Sequence, residues 1–509
     1  MNTGSKFTFI DLFAGIGGFR MALNSIGGYC LHFSEINKDA INTYCTNFNE
    51  SERYNLGDIT KIKQLPNHDL LVGGVPCQSW SIAGRNLGFD DDRGQLWNDA
   101  IYLLSQSKPK AFIFENVKGL VDPRNKTALD YILKRIKDAG YFADYYVLNS
   151  FDYGVPQNRV RIYIVGFLEK SFYLKFKLPS TVKNKTRLGD ILNIKPINAK
   201  INYQKDLFGE TVLQRSMSLS NNNGYNDYFL FNDIRNGHST IHSWDIVETT
   251  ERQKNICHLL LKNRRKSAYG NLDGNPLSLI HFQELDKTIT QQDLDGLVKI
   301  DILKAEEYRF KINEFQETNL NGDEKILLEC KINQELIIDI AKSNRRVQIN
   351  KISIFNTIKS LLEKNMIACI EVRYDFKNTK ISTGLFGVNR VFLPSSNIFP
   401  TLVASDTNDY ITTKNIHAKS EEEYKAKFIS DIYKKDNFRK ITKEEACKIQ
   451  GFPEDFILPE NRARWMKLLG NSVSVPVIEL LGKAIVDTGV FEFEGEFATA
   501  QNLDKYQQY

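Results

Sequence analysis

The run "KFTFIDLFAGIGGFR", Lys6 to Arg20, constrains the fold of this chain more than any other stretch. Its apolar, β-rich first half predicts a buried strand, the glycines at 15, 17 and 18 predict a tight turn, and "RMALNSIG" has helical spacing. Strand, glycine turn and helix open a doubly wound α/β sheet, in which ligands sit at the carboxyl ends of the strands. The glycines let a ligand approach the backbone and leave helix amides facing it. A second strand, "YCLHFSEI", ends on Glu35, twenty residues after Gly15, where a carboxylate accepts hydrogen bonds from ribose hydroxyls. Arg20 stands where a dinucleotide fingerprint has its third glycine, which disfavours NAD and FAD. "LGDIT" brings Asp58 and Ile59 to another strand end, within reach of an adenine amino group. Two readings stand on this pattern: a loop for a nucleoside-containing cofactor, or a purely structural turn.

The alternation continues with a helix in "GQLWNDAIYLLSQS", a strand in "AFIFENV", a helix in "TALDYILKRIKDAG" and a strand in "DYYVLNSFDY". "GVPQNRVRIYIVGF" reads as a turn and a last strand with Gln157, Arg159 and Arg161 at outward positions of one face. Glu115 falls at the end of its strand, on the edge that carries the glycine turn. The stretch "LLVGGVPCQSWSIAG" places Cys77 directly after a proline, in a glycine-flanked loop at the same edge. Seven cysteines, an odd number, with no C-x-x-C pair argue against a disulfide framework or a zinc site. A reactive thiol, a carboxyl and a guanidinium pair thus converge on one cleft. No apolar run approaches the ~18 residues of a membrane span, and no signal segment opens the chain. The net charge of +5 permits a polyanionic partner without demanding one.

In order and spacing, "FIDLFAGIGGFR", "SEIN", "GDIT", "GGVPCQSWSIAG", "RGQLW", "ENVKGL", "QNRVRIYIVG", "RKITKEEACKIQGFP" and "LLGNSVSVPVI" resemble the motif set of the cytosine-5 DNA methyltransferases. The resemblance covers roughly residues 7–168 and 438–486. It implies a doubly wound, mostly parallel sheet of the S-adenosylmethionine-dependent methyltransferase type, with an inserted, irregular α+β target recognition domain. The implied division is a catalytic and cofactor-binding part over 1–182, recognition over 183–435, a catalytic return over 436–490 and a frayed tail over 491–509.

The resemblance also implies roles for residues. Cys77 adds to carbon 6 of cytosine, which makes carbon 5 nucleophilic enough to take a methyl group. Glu115 hydrogen-bonds or protonates the ring at nitrogen 3 and the exocyclic amine, and Arg161, with Arg159 beside it, orients the base and keeps the thiolate in an electropositive site. For the cofactor, S-adenosylmethionine, Phe13 stacks on the adenine, Gly15, Ile16, Gly17 and Gly18 approach the methionine part, and Glu35 with Ile36 holds the ribose. Asp58 and Ile59 line the adenine, and Pro76, Leu96 and Asn471 complete the pocket. Gln78, Ser81, Thr401 and Leu402 are implied DNA contacts. No metal is expected.

Between about Lys183 and Lys435 the α/β rhythm gives way to loops, short strands and polar clusters. The basic runs "KNRRK" and "KSNRRVQINK" suit either phosphate contact or a solvated face. "SIFNTIKSLLEKNMIACIEVRYDF" reads as a helix followed by a strand; core packing is favoured over a helix and wing entering a groove. His238, His242 and Trp244 have no cysteine at ligand spacing and are read as packing or DNA contact. "TKEEA" carries a capping box, Thr442 with Glu445, that starts a helix.

A tRNA cytosine methyltransferase shares the motifs but has a much smaller insertion than the roughly 250 residues here. Amino-group methyltransferases carry a D/N-P-P-Y/F tetrapeptide, which does not occur. A non-catalytic homologue is expected to lose the thiol or the carboxyl, and both are present. The first motif begins within ten residues of the start, a layout that resembles prokaryotic or phage enzymes protecting host DNA from a restriction endonuclease. The expected partner is double-stranded DNA, the expected state a cytoplasmic monomer without membrane contact.

Overall fold

In a computed structural model, residues 6–76, 92–183, 186–194, 228–231, 239–272, 274–314, 319–377 and 384–492 are described. The first part runs β1 (Phe7–Leu12), α1 (Gly18–Ser25), β2 (Gly28–Ser34), α2 (Lys38–Phe48), β3 (Leu70–Gly74), α3 (Asp92–Ser107), β4 (Ala111–Val117), α4 (Lys126–Asp138), β5 (Phe142–Asn149), β6 (Gln157–Asn158) and β7 (Val160–Phe167). Six of these strands form one sheet in the order β2-β1-β3-β4-β7-β5. β1 pairs in parallel with β2 on one side and with β3 on the other, so the order reverses at β1. That reversal opens a crevice at the carboxyl ends of the strands. β7 alone runs antiparallel, between β4 and β5.

Strands buried on both faces must be apolar at nearly every position, and "FTFIDL" is. Successive side chains serve opposite layers. Phe9 and Val72 join the core that holds α1 and the end of the chain, whereas Ile10 and Leu71 join the core of α3 and α4. Arg20 folds back from α1, its guanidinium over the rings of Tyr44 and Phe48 and 3.0 Å from Glu50. The residue that departs from the dinucleotide fingerprint therefore fastens α1 to α2.

The middle of the chain is more regular than its polar sequence predicts. It contains β8 (Tyr228–Phe231), β9 (Thr240–Ile241), α5 (Glu251–Asn263), β10 (Leu277–Ser278), α6 (Gln291–Lys299), β11 (Leu303–Ile312), β12 (Glu335–Ile337), α7 (Arg345–Ile349), α8 (Ile354–Glu363), β13 (Ile367–Phe376), β14 (Arg390–Phe392), β15 (Phe399–Pro400) and β16 (Asp409–Ile411). Two four-stranded sheets result, β10-β13-β11-β12 and β16-β14-β8-β9. The helix and strand read from residues 353–376 are α8 and β13. His242 is buried and stacks on Trp244, ring centroids 4.2 Å apart; His238 lies outside the described residues.

The chain then returns to the first sheet through α9 (Lys443–Gln450), α10 (Arg462–Asn471) and α11 (Val475–Val486). The capping box forms: Thr442 Oγ1 accepts from the Glu445 amide at 3.2 Å, and Glu445 accepts from the Thr442 amide at 2.8 Å. Residues Arg462–Val486 are long and apolar enough to cross a membrane, contrary to the reading from sequence. They are two mostly buried helices, α10 and α11, joined through Ser472–Ser474. Phe491 stacks on Phe7 at 4.5 Å, so packing extends past residue 490.

Gly18 shows how close this return is. A Cβ there would lie 2.8 Å from Ser472 Oγ and 2.8 Å from Val473 Cγ2. Gly18→Ala should therefore cost about 1–3 kcal/mol by overpacking and loosen the returning segment, read as a lower midpoint in urea. An unchanged midpoint would show that the contact yields freely.

Candidate active site

At the reversal of strand order lies a cavity of about 430 Å³. Phe13, Gly15, Glu35, Ile36, Asp58, Ile59, Pro76, Leu96, Glu115, Arg159, Arg161 and Asn471 all line it. Positions spread over more than 450 residues of sequence thus meet in one place. Ile16, Gly17 and Gly18 of the glycine turn lie behind the residues that line the cavity. Ile16 is fully buried in the core. Gly17 is the left-handed N-cap of α1, with no space for a Cβ against Phe48 and Tyr44, and Gly18 packs under Ser472 and Val473. Only Gly15, with φ +56° and open space where a Cβ would stand, faces the cavity. Cys77, Gln78 and Ser81 lie outside the described residues, but Pro76 brings the chain to the cavity wall.

Phe13 has φ +54°, a left-handed conformation that costs a bulky residue roughly 1–2 kcal/mol. The strain turns the chain out of β1 with an aromatic ring at the cavity. Glu35 ends β2 and accepts three backbone amides: Ile36 at 2.8 Å and Asn37 at 2.7 Å on Oε1, and Gly15 at 2.9 Å on Oε2. A carboxylate offers about four acceptor positions. One remains, on Oε2. Asn55, which the sequence reading passed over, braces this corner, its Oδ1 accepting from Glu35 and Gly57 amides and its Nδ2 donating to the Glu35 carbonyl, each at 3.0 Å. Nothing in "RYNLG" marks that role. Asp58 accepts from Thr60 Oγ1 at 2.8 Å and the Thr60 amide at 3.1 Å, bonds that hold its carboxyl below the usual range.

Glu115 lies on β4, diagonal to Arg161 across the β4–β7 pairing. Arg161 Nε stands 3.1 Å from Glu115 Oε1, near enough to pair but off hydrogen-bond alignment. Burial raises the Glu115 pKa, opposed first by the charge of Arg161 and then by that of Arg159. Gly74 faces Glu115 across β3 and puts no side chain between the carboxyl and the cavity. Next in the chain, Asn116 donates to the Val75 carbonyl at 3.2 Å. That bond fixes the chain just before Pro76.

Gln157 and Arg159 are not outward-facing, as strand alternation predicts; they are 0% and 2% exposed. Period two fails because β6 ends at Asn158 and β7 begins at Val160, with β6 pairing instead with β15. Arg159 donates to the carbonyls of Leu402 at 3.1 Å, Gly470 at 3.1 Å and Ser472 at 2.6 Å. Gln157 donates to the Ile449 carbonyl at 3.0 Å and to Gln450 at 2.8 Å, and accepts from the Leu402 amide at 3.3 Å. Gln450 donates to the carbonyls of Ser472 and Val473. Leu402 therefore spends both its amide and its carbonyl inside the protein, and Thr401 donates its hydroxyl to the Asn158 carbonyl. Burial, and then the charge of Arg161, lower the Arg159 pKa to about 9, which leaves it a cation at neutral pH.

A strained aromatic, a carboxylate anchored by amides and a carboxyl–guanidinium pair thus meet in one cleft at the strand ends. A family model described as C-5 cytosine-specific DNA methylase matches residues 7–487, and the chain belongs to that family. It is 41% identical over 494 residues to the type II methyltransferase M.HgiBI of Herpetosiphon aurantiacus, covering 96% of this chain and 99% of the relative. To the type II methyltransferase M.BanI of Aneurinibacillus aneurinilyticus it is 30% identical over 522 residues, covering 97% and 99%. A solved methyltransferase of Entamoeba histolytica is similar at 14% identity and a TM-score of 0.46, covering 95% of this chain and 99% of that one. The chain is a DNA cytosine-5 methyltransferase of the restriction–modification type.

Arg159→Met leaves the buried carbonyls of Leu402 and Gly470 without their donor and that of Ser472 with Gln450 alone. Unsatisfied buried groups cost about 1–3 kcal/mol each, so denaturation should show a loss of several kcal/mol, with Arg159→Lys recovering part. A loss below about 0.5 kcal/mol, the range of neutral surface changes, would contradict the clamp.

Proposed function

We propose that this enzyme methylates carbon 5 of a cytosine that it has flipped out of duplex DNA, through a covalent adduct on Cys77, using S-adenosylmethionine. The observation that carries the reading is one cavity lined both by Phe13, Gly15 and Glu35 and by the Glu115–Arg161 pair, with Pro76 at its wall. Its volume lies in the range of small-ligand sites. The donor set fits the cofactor: the open acceptor of Glu35 suits a ribose hydroxyl, Phe13 with Ile36 and Ile59 an adenine, and Gly15 and Asn471, which line the same cavity, the amino-acid end. When bound, the cofactor supplies an electrophilic methyl group.

The residues act on the base. Carbon 6 is out of reach inside a stacked duplex, so the base must leave the stack at a cost of a few kcal/mol. The Cys77 thiolate adds to carbon 6, and the electron pair displaced moves into the ring. Glu115 holds a proton at ring nitrogen 3, and its raised pKa keeps it protonated to higher pH than an ordinary carboxyl. Arg161 orients the base through its carbonyl and compensates charge. Arg159, whose two Nη atoms donate to three backbone carbonyls, is a positioning residue. With carbon 5 methylated, the proton on that carbon leaves, carbon 5 and carbon 6 regain their double bond, and the thiolate departs. Residues 183–435 select the sequence, and in a prokaryotic or phage-infected cytoplasm the product protects DNA from a partner endonuclease.

Cys77→Ser should abolish methyl transfer while calorimetry shows S-adenosylhomocysteine and DNA still binding. Retained turnover would remove the adduct from the mechanism. Glu115→Gln should slow turnover by about 10²-fold or more. In the wild type, turnover should fall as pH rises through a Glu115 pKa above the model-peptide value of about 4.3, and the substitution should abolish that limb. An unaltered pH profile would mean that Glu115 is not the proton donor.

A further inference from the structure

We propose that α8 is a sequence-reading helix, presented to duplex DNA by a helix-turn-helix built from α7, the turn Asn350–Ser353 and α8; this rests on the DNA reading above. From Ile340 to Leu362 the chain carries five cations and no acid. Among the described residues no carboxylate pairs with Lys342, Arg345 or Lys351, although Arg346 pairs with Glu329 and Lys359 lies 4.0 Å from Glu363. Lys351 has φ +53°, which reverses the chain between the two helices. Thr357, Ile358 and Leu361 bury one face of α8 against the β11–β13 sheet core.

The opposite face, Phe355, Asn356 and Lys359, is exposed at i, i+1 and i+4 spacing. Phe355, 78% exposed, is the most exposed large apolar side chain among the described residues, and Ile349 before the turn is 66% exposed. A solvated face gives no reason for two such exposed apolar side chains within one short stretch of unpaired cations. Duplex DNA does. A phosphate backbone fits Lys342, Arg345 and Lys351, an exposed amide such as Asn356 reads adenine bidentately, and an apolar ring such as Phe355 meets a thymine methyl. The second helix of a helix-turn-helix is the one that enters the major groove.

The test uses the full chain and a duplex bearing the site found by bisulfite sequencing of DNA methylated by the wild type. Arg345→Glu with Lys351→Glu should weaken DNA binding about tenfold or more and flatten the slope of log K against log salt by about 0.9 per lost phosphate contact. S-adenosylhomocysteine affinity and thermal midpoint should not change, and Arg345→Lys with Lys351→Arg should bind as wild type. Asn356→Ala and Phe355→Ser should leave the salt slope alone and relax discrimination at one or two base pairs by roughly 5- to 150-fold. Wild-type affinity, slope and base preference in all variants would overturn the proposal. So would normal DNA binding with loss of self-association, which makes this face a contact between copies. A wild type that methylates no DNA overturns the function proposed above instead.

Discussion

The arrangement depends on one buried cation. Arg159 reaches carbonyls at Leu402, Gly470 and Ser472, which lie 243, 311 and 313 residues away along the chain. A guanidinium taken from water needs dipoles on the donors it turns inward, and three carbonyls supply them to the two Nη atoms, while Nε stays buried without a partner. Gln157 and Gln450 extend the same device to the Ile449 and Val473 carbonyls. The backbone groups so used belong to irregular segments, which must find partners when buried. One side chain thereby holds the end of the middle region, the C-terminal return and the start of β7 in register.

That register makes the cavity. Asn471 and the end of α10 come to the glycine turn because Gly470 and Ser472 are held, and Arg161, two residues after Arg159, is thereby set beside Glu115. The two arginines and the carboxyl form a coupled group in which burial raises one pKa and lowers another. In the mechanism proposed above, a net positive pocket wall next to Pro76 would favour the Cys77 thiolate and the electron-rich ring formed by its attack. Structure and chemistry lie two residues apart: the Arg159 Nη atoms hold the fold, and Arg161 on β7 stands beside Glu115.

Much of this was legible in the sequence, for identifiable reasons. β1 to β4 announce themselves because buried parallel strands are apolar throughout and glycine or helix-capping residues punctuate them. Glu35 and Glu115 were legible as carboxylates at strand ends, whereas Asp58 caps the short turn Ile59–Lys61 before β3 and ends no strand. The packing around Gly17 and Gly18 was not legible, because a glycine looks the same whether a ligand or a neighbouring side chain approaches it; here Phe48, Ser472 and Val473 stand where a Cβ would. Gln157 and Arg159 were misread because a two-residue period presumes one continuous strand. Asn55 and Gln450 act through partners that no local pattern contains. The regularity of the middle region was hidden by short strands whose pairing partners lie far off, as Phe231 with Ile241 and Arg390 with Leu230 and Asp409.

The central claim is that the thiol after Pro76 bonds to the base in the cavity held by this clamp. Fluorine at carbon 5 cannot leave as the proton does, so duplex DNA with 5-fluorocytosine at the target traps the adduct once the methyl group has been transferred. Incubated with enzyme and S-adenosylmethionine, digested and analysed by mass spectrometry, such DNA should yield one peptide–nucleotide conjugate, on the peptide containing Cys77, dependent on the cofactor. A conjugate on Cys447 or another cysteine, or complete methylation of ordinary DNA with no conjugate on the fluorinated duplex, would contradict the account.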